Sequence, residues 1–185
     1  MSINLKKGSS FNLTKEEPTL KKVMIGLGWD MSNQSIDLDA SAFMLGSNLK
    51  LPEENYFIFY NNLKSPDSSV QHTGDNRTGE GNGDDEMILI NIDLIDPKIS
   101  EIVFLVTIHE SKARVHHFGL LQNAYIRLYD VDSKREVLRY TLDAERGTNS
   151  DMEFGKLQKI NNEWKFTALG NGSEKGLQGY VDIYA

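Results

Sequence analysis

The chain contains no cysteine. Disulfides, thiolate zinc centres and cysteine nucleophiles are therefore excluded, as is trapping a metalloid oxyanion on the protein's own thiols. It also lacks any run of about 18 apolar residues, so no transmembrane helix is expected. The N-terminal stretch MSINLKKGSSFNL has no apolar segment behind its positive charges, which argues against a secretory signal and makes the cytoplasm the expected compartment. Positive charge is scarce, with 20 Lys and Arg against 27 Asp and Glu, a net −7. That balance disfavours nucleic acid and bare anionic lipid as direct partners, although a bound divalent cation would make anionic lipid acceptable again. Only four prolines occur, and no Pro/Gly/Ser linker, repeat or heptad divides the chain, so residues 1–185 read as one domain.

What is present is short apolar runs of period two, separated by Gly, Asn, Asp and Ser clusters, which is the pattern of an all-β protein. Val23, Ile25, Leu27 and Trp29 alternate with Met24, Gly26 and Gly28. Leu38, Ala40, Ala42 and Met44 alternate with Asp37, Asp39, Ser41 and Phe43. Ile88, Ile90, Ile92 and Leu94 form another inward face, and Tyr56 to Tyr60 and Ile102 to Ile108 read as strands buried on both sides. Further strands are expected at 124–130, 137–142, 154–160, 164–169 and 177–184. An N-terminal hairpin is expected to join 3–6 to 10–13 through Lys7-Gly8. The fold class expected is a β-sandwich of two mostly antiparallel sheets, with 110–121 the one segment able to supply a short helix.

The segment 62–86 reads as a strandless loop too long for a hairpin turn, and loops of that length are usually functional or disordered. From Gly74 to Glu86 it holds five carboxylates, Asp75, Glu80, Asp84, Asp85 and Glu86, with Arg77 among them and glycines at 74, 79, 81 and 83. Glycine lets backbone carbonyls approach closely, and calcium takes six to eight oxygens from carboxylates, amides and backbone. A solvated acidic loop is the plainer alternative.

Strand parity weighs against it. If successive strands run antiparallel, the end of 22–29 and the start of 38–45 share one end of the sandwich. Asp30, Asp37, Asp39, Asn61, the acidic loop, His109-Glu110, Asp143, Glu145, Asp151 and Glu153 then gather there. Asp130 and Asp132 fall at the other end as a hairpin turn. Two carboxylates about 4 Å apart repel by roughly 4 kcal/mol at a dielectric of about 20. Asp37 and Asp39 share a strand face and cannot easily splay. A cation is the natural remedy, and the surplus of acids suits two calcium ions better than one.

The loop is not an EF-hand, because Arg77 and Gly79 stand where Asp or Asn belongs and Glu80 replaces the central glycine. No GK[ST] follows the glycines, so it is not a phosphate loop. His109-Glu110 lacks an HExxH partner, His116 and His117 cannot share a helical face, and the 170–176 glycines lack nucleophile-elbow spacing. Arg77 is expected to pin the loop by pairing with an acid, and Trp29 and Trp164 to lie in the core.

In this order, IGLGWD, DLDASAFML, FYNNLKSPDSSVQHTGDNRTGEGNGDDE, IVFLVTIHES, QNAYIRL and EWKFTALGNG resemble the TerD family over nearly the whole chain. The resemblance implies a β-sandwich that binds calcium at one end, in proteins associated with tellurite and general stress resistance, some acting in membrane-associated complexes at the inner membrane surface. The family's acidic positions correspond to Asp30, Asp37, Asp39, Asp75, Asp84, Asp85 and Glu86, with Asn61 and Asn76 as neutral oxygen donors. Asn82 stands where relatives carry an acid. The reading favoured is a non-catalytic calcium-binding module that presents a metal-ordered surface to a protein partner. The alternatives are calcium-dependent docking on a membrane surface and a two-metal phosphoester hydrolase.

Overall fold

A computed structural model describes residues 2–30, 36–73, 83–142 and 147–185. Twelve strands lie among these residues: β1 (Ile3–Leu5), β2 (Ser10–Asn12), β3 (Lys22–Asp30), β4 (Leu38–Leu45), β5 (Phe57–Ile58), β6 (Val70–His72), β7 (Glu86–Asn91), β8 (Glu101–Ile108), β9 (Gln122–Asp130), β10 (Glu136–Thr141), β11 (Asp151–Ile160) and β12 (Glu163–Ser173). Three helices accompany them: α1 (Leu13–Glu16), α2 (Ser111–Arg114) and α3 (Gly176–Tyr184). One sheet has the order β1-β10-β9-β3-β7-β6 and the other β2-β12-β11-β8-β4-β5. Among the described residues β1 pairs parallel with β10, and the other strand pairs are antiparallel.

The alternation explains how the sheets meet. Val23, Ile25, Leu27 and Trp29 of the first sheet and Leu38, Ala40, Ala42 and Met44 of the second belong to one buried cluster between them. Each such large apolar side chain contributes about 1.5–3 kcal/mol on burial. A second cluster, Phe43, Leu45, Phe57, Val103, Leu105 and Tyr180, covers the other face of β4, β5 and β8 beneath α3. Burial on both faces accounts for the unbroken apolar run at 102–108.

Five expectations are corrected. Tyr56 to Tyr60 is not a strand buried throughout, because the strand is only Phe57–Ile58, Tyr56 closes a 3-10 turn and Tyr60 is exposed. The N-terminal pair is not a hairpin: β1 joins the first sheet through β10 and β2 the second through β12, so the chain start bridges both layers. Residues 62–86 are not strandless, because β6 pairs with β7 through Val70↔Ile90 and His72↔Ile88. The inward face of β7 ends at Ile90; a 3-10 turn follows at Ile92–Leu94 and leaves Leu94 exposed. Residues 177–184 are helical. Their alternating apolar pattern is also compatible with helical spacing, and Leu177, Tyr180, Val181 and Tyr184 pack on the second cluster while Ile183 is exposed. The segment 110–121 does supply a short helix, α2, and a 3-10 turn at Phe118–Leu120.

The link before β6 is held by one acid. Asp67 accepts from Ser65 Oγ (2.6 Å), Ser69 Oγ (2.8 Å), Ser69 N (2.9 Å) and Asp96 N (2.8 Å). Burial works against its charge, but these four bonds outweigh it and hold its pKa below the ordinary 3.8. Asp67→Asn is therefore expected to cost about 1–2 kcal/mol at neutral pH. Because the folded pKa is lowered, the advantage is complete above the unfolded value and disappears as pH falls through the folded one. Urea unfolding of parent and variant across that acid range checks it.

Candidate metal site

Parity operates as expected among the described strands. Leu38 pairs with Ile108 and Asp39 with Thr107, while Thr107 pairs in turn with Asp151. Leu27 pairs with Glu86 and Asp30 with Gln122. The start of β4, the end of β8, the start of β11 and the junction of β3 with β7 thus lie at one end of the two layers. Asp75, Asn76, Arg77, Glu80, Asn82, Asp143 and Glu145 lie outside the described residues.

Asp85 extends the β3–β7 ladder by one step. Its N–H donates to Leu27 O (2.8 Å), and its Oδ2 accepts from the Trp29 N–H (3.1 Å). Burial, first, and then the charges of Asp84 and Asp30 push its pKa above the ordinary carboxylate value, with the Trp29 bond opposing them. Glu86 points between the sheets, where its Oε2 lies 3.0 Å from His72 Nε2 and both side chains are almost wholly buried. Asp30, at the exposed end of β3, accepts from Asn123 Nδ2 (2.5 Å).

Asp37 and Asp39 flank the inward-facing Leu38, so they share the outer side of β4. The Asp37 carbonyl accepts from the His109 N–H (2.9 Å), and Asp39 Oδ2 lies 3.9 Å from His109 Nδ1. Asn61 is exposed beside Tyr60 and borders a surface groove. Its neighbour Asn62 ties the turn by donating from Nδ2 to Phe57 O (2.7 Å) and Asn55 O (3.0 Å).

Asp84 has a different surrounding. Its side chain is 2% exposed and pairs with Arg127, whose Nε lies 2.8 and 3.0 Å from its two oxygens. Tyr125 Oη donates to it at 3.0 Å. Burial first, and then the Asp84 charge, push the Tyr125 phenol up to about 12. Arg127 also reaches Glu136 (3.5 Å), which Arg139 holds at 2.7 Å and lowers to a pKa of about 2. The glycines of IGLGWD make room for this arrangement. A Cβ at Gly26 would fall 2.1 Å from Asp84 Oδ2, and one at Gly28 would fall 2.4 Å from the Tyr125 ring.

Of the described candidates, then, Asp30 and Asp85 stand within electrostatic reach of each other. Glu86 and Asp37/Asp39 flank that end, while the Asp84 carboxylate is committed to Arg127. The sequence pattern did not single out Arg127, Tyr125 or His72. Tyr125, Arg127 and Tyr129 alternate with inward residues along β9 opposite Gly28, Gly26 and Met24, and that pairing is the signal that could have found them. Among the described residues no three His, Asp or Glu side chains are grouped tightly enough to hold a metal ion. The donors present are nevertheless almost all oxygen, and Asp85 is an acid whose ionised form is disfavoured by its neighbours. Both traits fit a hard divalent cation.

Two packed, mainly antiparallel sheets with acids collected at one end define a class of β-sandwich. The chain belongs to the TerD family, whose TerD domain matches residues 1–184. It is 49% identical over 187 residues to the tellurium resistance protein TerD of Serratia marcescens, covering all of this chain and 97% of that one. It is 41% identical over 188 residues to general stress protein 16U of Bacillus subtilis (strain 168), again across the whole chain and 97% of the relative. The crystal structure of a homologue of telluride resistance protein (TerD), SCO6318 from Streptomyces coelicolor A3(2), shares the fold with a TM-score of 0.71 at 20% identity, covering 90% of this chain and 98% of that one. Among the described residues no helix is long and apolar enough to cross a membrane.

Proposed function

We propose that this chain is a non-catalytic calcium-binding module of a tellurite- and stress-resistance system, folded as one domain, that takes up about two calcium ions and presents a metal-ordered surface to a protein partner. The observation that carries the reading is Asp85, a carboxylate that accepts from the Trp29 N–H and whose ionised form is disfavoured first by burial and then by the charges of Asp84 and Asp30. A divalent cation there would reverse the sign of that imbalance. The residues that would hold it are Asp30, Asp37, Asp39, Asn61, Asp75, Asn76, Asp85 and Glu86. Asp84 is withdrawn from the side-chain donors, because Arg127 and Tyr125 already occupy its carboxylate. The names of the relatives, a tellurium resistance protein and a general stress protein, support the stress setting.

Calorimetric titration of chelator-stripped protein with calcium tests this. Saturable heat with about two ions per chain is expected for the proposed site. Absence of heat at millimolar calcium, with an unchanged melting temperature, would remove the calcium reading. Turnover on a panel of phosphoesters would remove the non-catalytic one.

A further inference from the structure

β9 meets β3 through an irregular step at the acidic end. Gly28 pairs with Tyr125 but Asp30 pairs with Gln122, so a two-residue step on β3 is matched by a three-residue step on β9. That mismatch is a β-bulge, a device that re-aims a side chain next to a site. Asn123 lies within it at φ 49°, in the left-handed region. Glycine adopts that conformation at the least steric cost, and asparagine adopts it while keeping a hydrogen-bonding side chain. The Asn123 amide is directed onto Asp30, with Nδ2 donating to Oδ2 at 2.5 Å.

Asp30 stays where it is only if something holds it. It ends β3 in an exposed position, and its charge acts against the ionised form of Asp85. Repulsion of that kind swings an exposed carboxylate into water. Packing does not prevent this, because Asp30 and Asn123 border an open cleft of about 300 Å³ with Tyr125, Arg139 and Thr141. Arg139 shares the cleft, but its guanidinium holds Glu136 at 2.7 Å. Among the described residues Asn123 is the one donor to the Asp30 carboxylate. Asp84 behaves differently, since a guanidinium neutralises it. The uncharged amide on Asp30 fixes the carboxylate, leaves its full negative charge and occupies one of its two oxygens.

We propose that Asn123 is a positioning residue for the cation site: the bulge of β9 holds Asp30 within reach of Asp85 against their repulsion, with Oδ1 left to the ion. The inference rests on the calcium reading above and adds a residue that acts through Asp30 without touching the ion. A ligand already held in place loses less freedom when the ion arrives. Removing such a support typically lowers metal affinity by about 10–100-fold.

Asn123→Gly is the direct test, because glycine keeps the left-handed backbone and removes only the amide. Its calcium affinity by calorimetry should fall about tenfold or more. Its melting temperature in chelator should match or exceed the parent's, since the released carboxylate no longer crowds Asp85. Terbium, a hard ion that takes the same oxygen ligands, supplies a signature that a purely structural role would not move. Luminescence lifetimes in light and heavy water count the waters on the ion, and the variant should carry about one more than the parent, in the place of Asp30. In an Asp30→Ala background Asn123→Gly should change nothing further. Asn162→Gly, at a left-handed residue in the turn between β11 and β12, should bind calcium as the parent does. Parent-like affinity in Asn123→Gly would overturn the proposal and leave the calcium reading intact. So would a loss that persists undiminished without Asp30, or one with the parent's water count, because Asp30 would then still be on the ion. A lower melting temperature in chelator would make Asn123 a structural residue and overturn the proposal too. A parent that gives no calcium heat would overturn both readings.

Discussion

Calcium at about 1,000 times its dissociation constant should stabilise the fold by about 4 kcal/mol, read as a shift in the chemical or thermal unfolding midpoint. The increment should be largely lost in Asp37→Asn and Asp39→Asn. In chelator these variants should unfold close to the parent, because removing a charge from a crowded end also removes repulsion. Asp85→Asn has a sharper signature. The folded pKa of Asp85 is raised by burial and by Asp84 and Asp30, so its protonated form is favoured in the fold. The contribution of Asp85 in the metal-free protein is therefore most favourable below the ordinary value of 3.8 and is lost as pH rises through the folded pKa. Asp85→Asn keeps a neutral acceptor for Trp29 and should remove that loss in chelator while forfeiting the calcium increment. Unfolding curves for the parent that coincide with and without calcium would exclude a cation site at this end of the fold.

Asp84→Asn should behave in the opposite way, destabilising the protein by a similar amount with or without calcium. Breaking a fully buried ion pair costs about 3–5 kcal/mol. Arg127 keeps 27% of its side chain exposed and has Glu136 nearby, so the expected loss is about 2–3 kcal/mol after allowance for solvent screening. Gly26→Ala should be at least as harmful, since its methyl would fall 2.1 Å from an oxygen that Arg127 and Tyr125 hold in place. Combining the two changes should cost much less than their sum, because Asn at 84 has already loosened the contact that the methyl strikes. Denaturant melts of the single and double variants in chelator supply all three values. Additive losses would mean that Gly26 matters for some reason other than Asp84.

Much of the architecture was legible because period-two alternation is a direct record of which side of a sheet is buried. Val23 to Trp29, Leu38 to Met44 and Ile88 to Ile90 face the core as their spacing implies, and both tryptophans are internal. Alternation fails where two periods coincide. Leu177 and Val181, four positions apart, satisfy both strand and helix spacing, whereas Tyr180 fits only the helix, which covers Phe43 and Leu105. Short strands such as β6 carry too few residues to register a period, and pairing partners far apart in sequence, such as β1 with β10, leave no local mark.

The site divides along similar lines. Collection of acids at one end followed from strand direction alone, whereas the fate of each carboxylate did not. Asp84 and Asp85 are adjacent and chemically identical, yet one meets a guanidinium and the other a backbone amide. Arg127 sits 43 positions from Asp84 in the chain. Only the register of β9 on β3, opposite a glycine, brings it there.

The outer side of β4 has a mechanical consequence. Asp39 and Phe43 are on the same side of one unbroken strand, paired along its length with β8, so the ladder holds the acidic end and the aromatic cluster beneath α3 at a fixed separation.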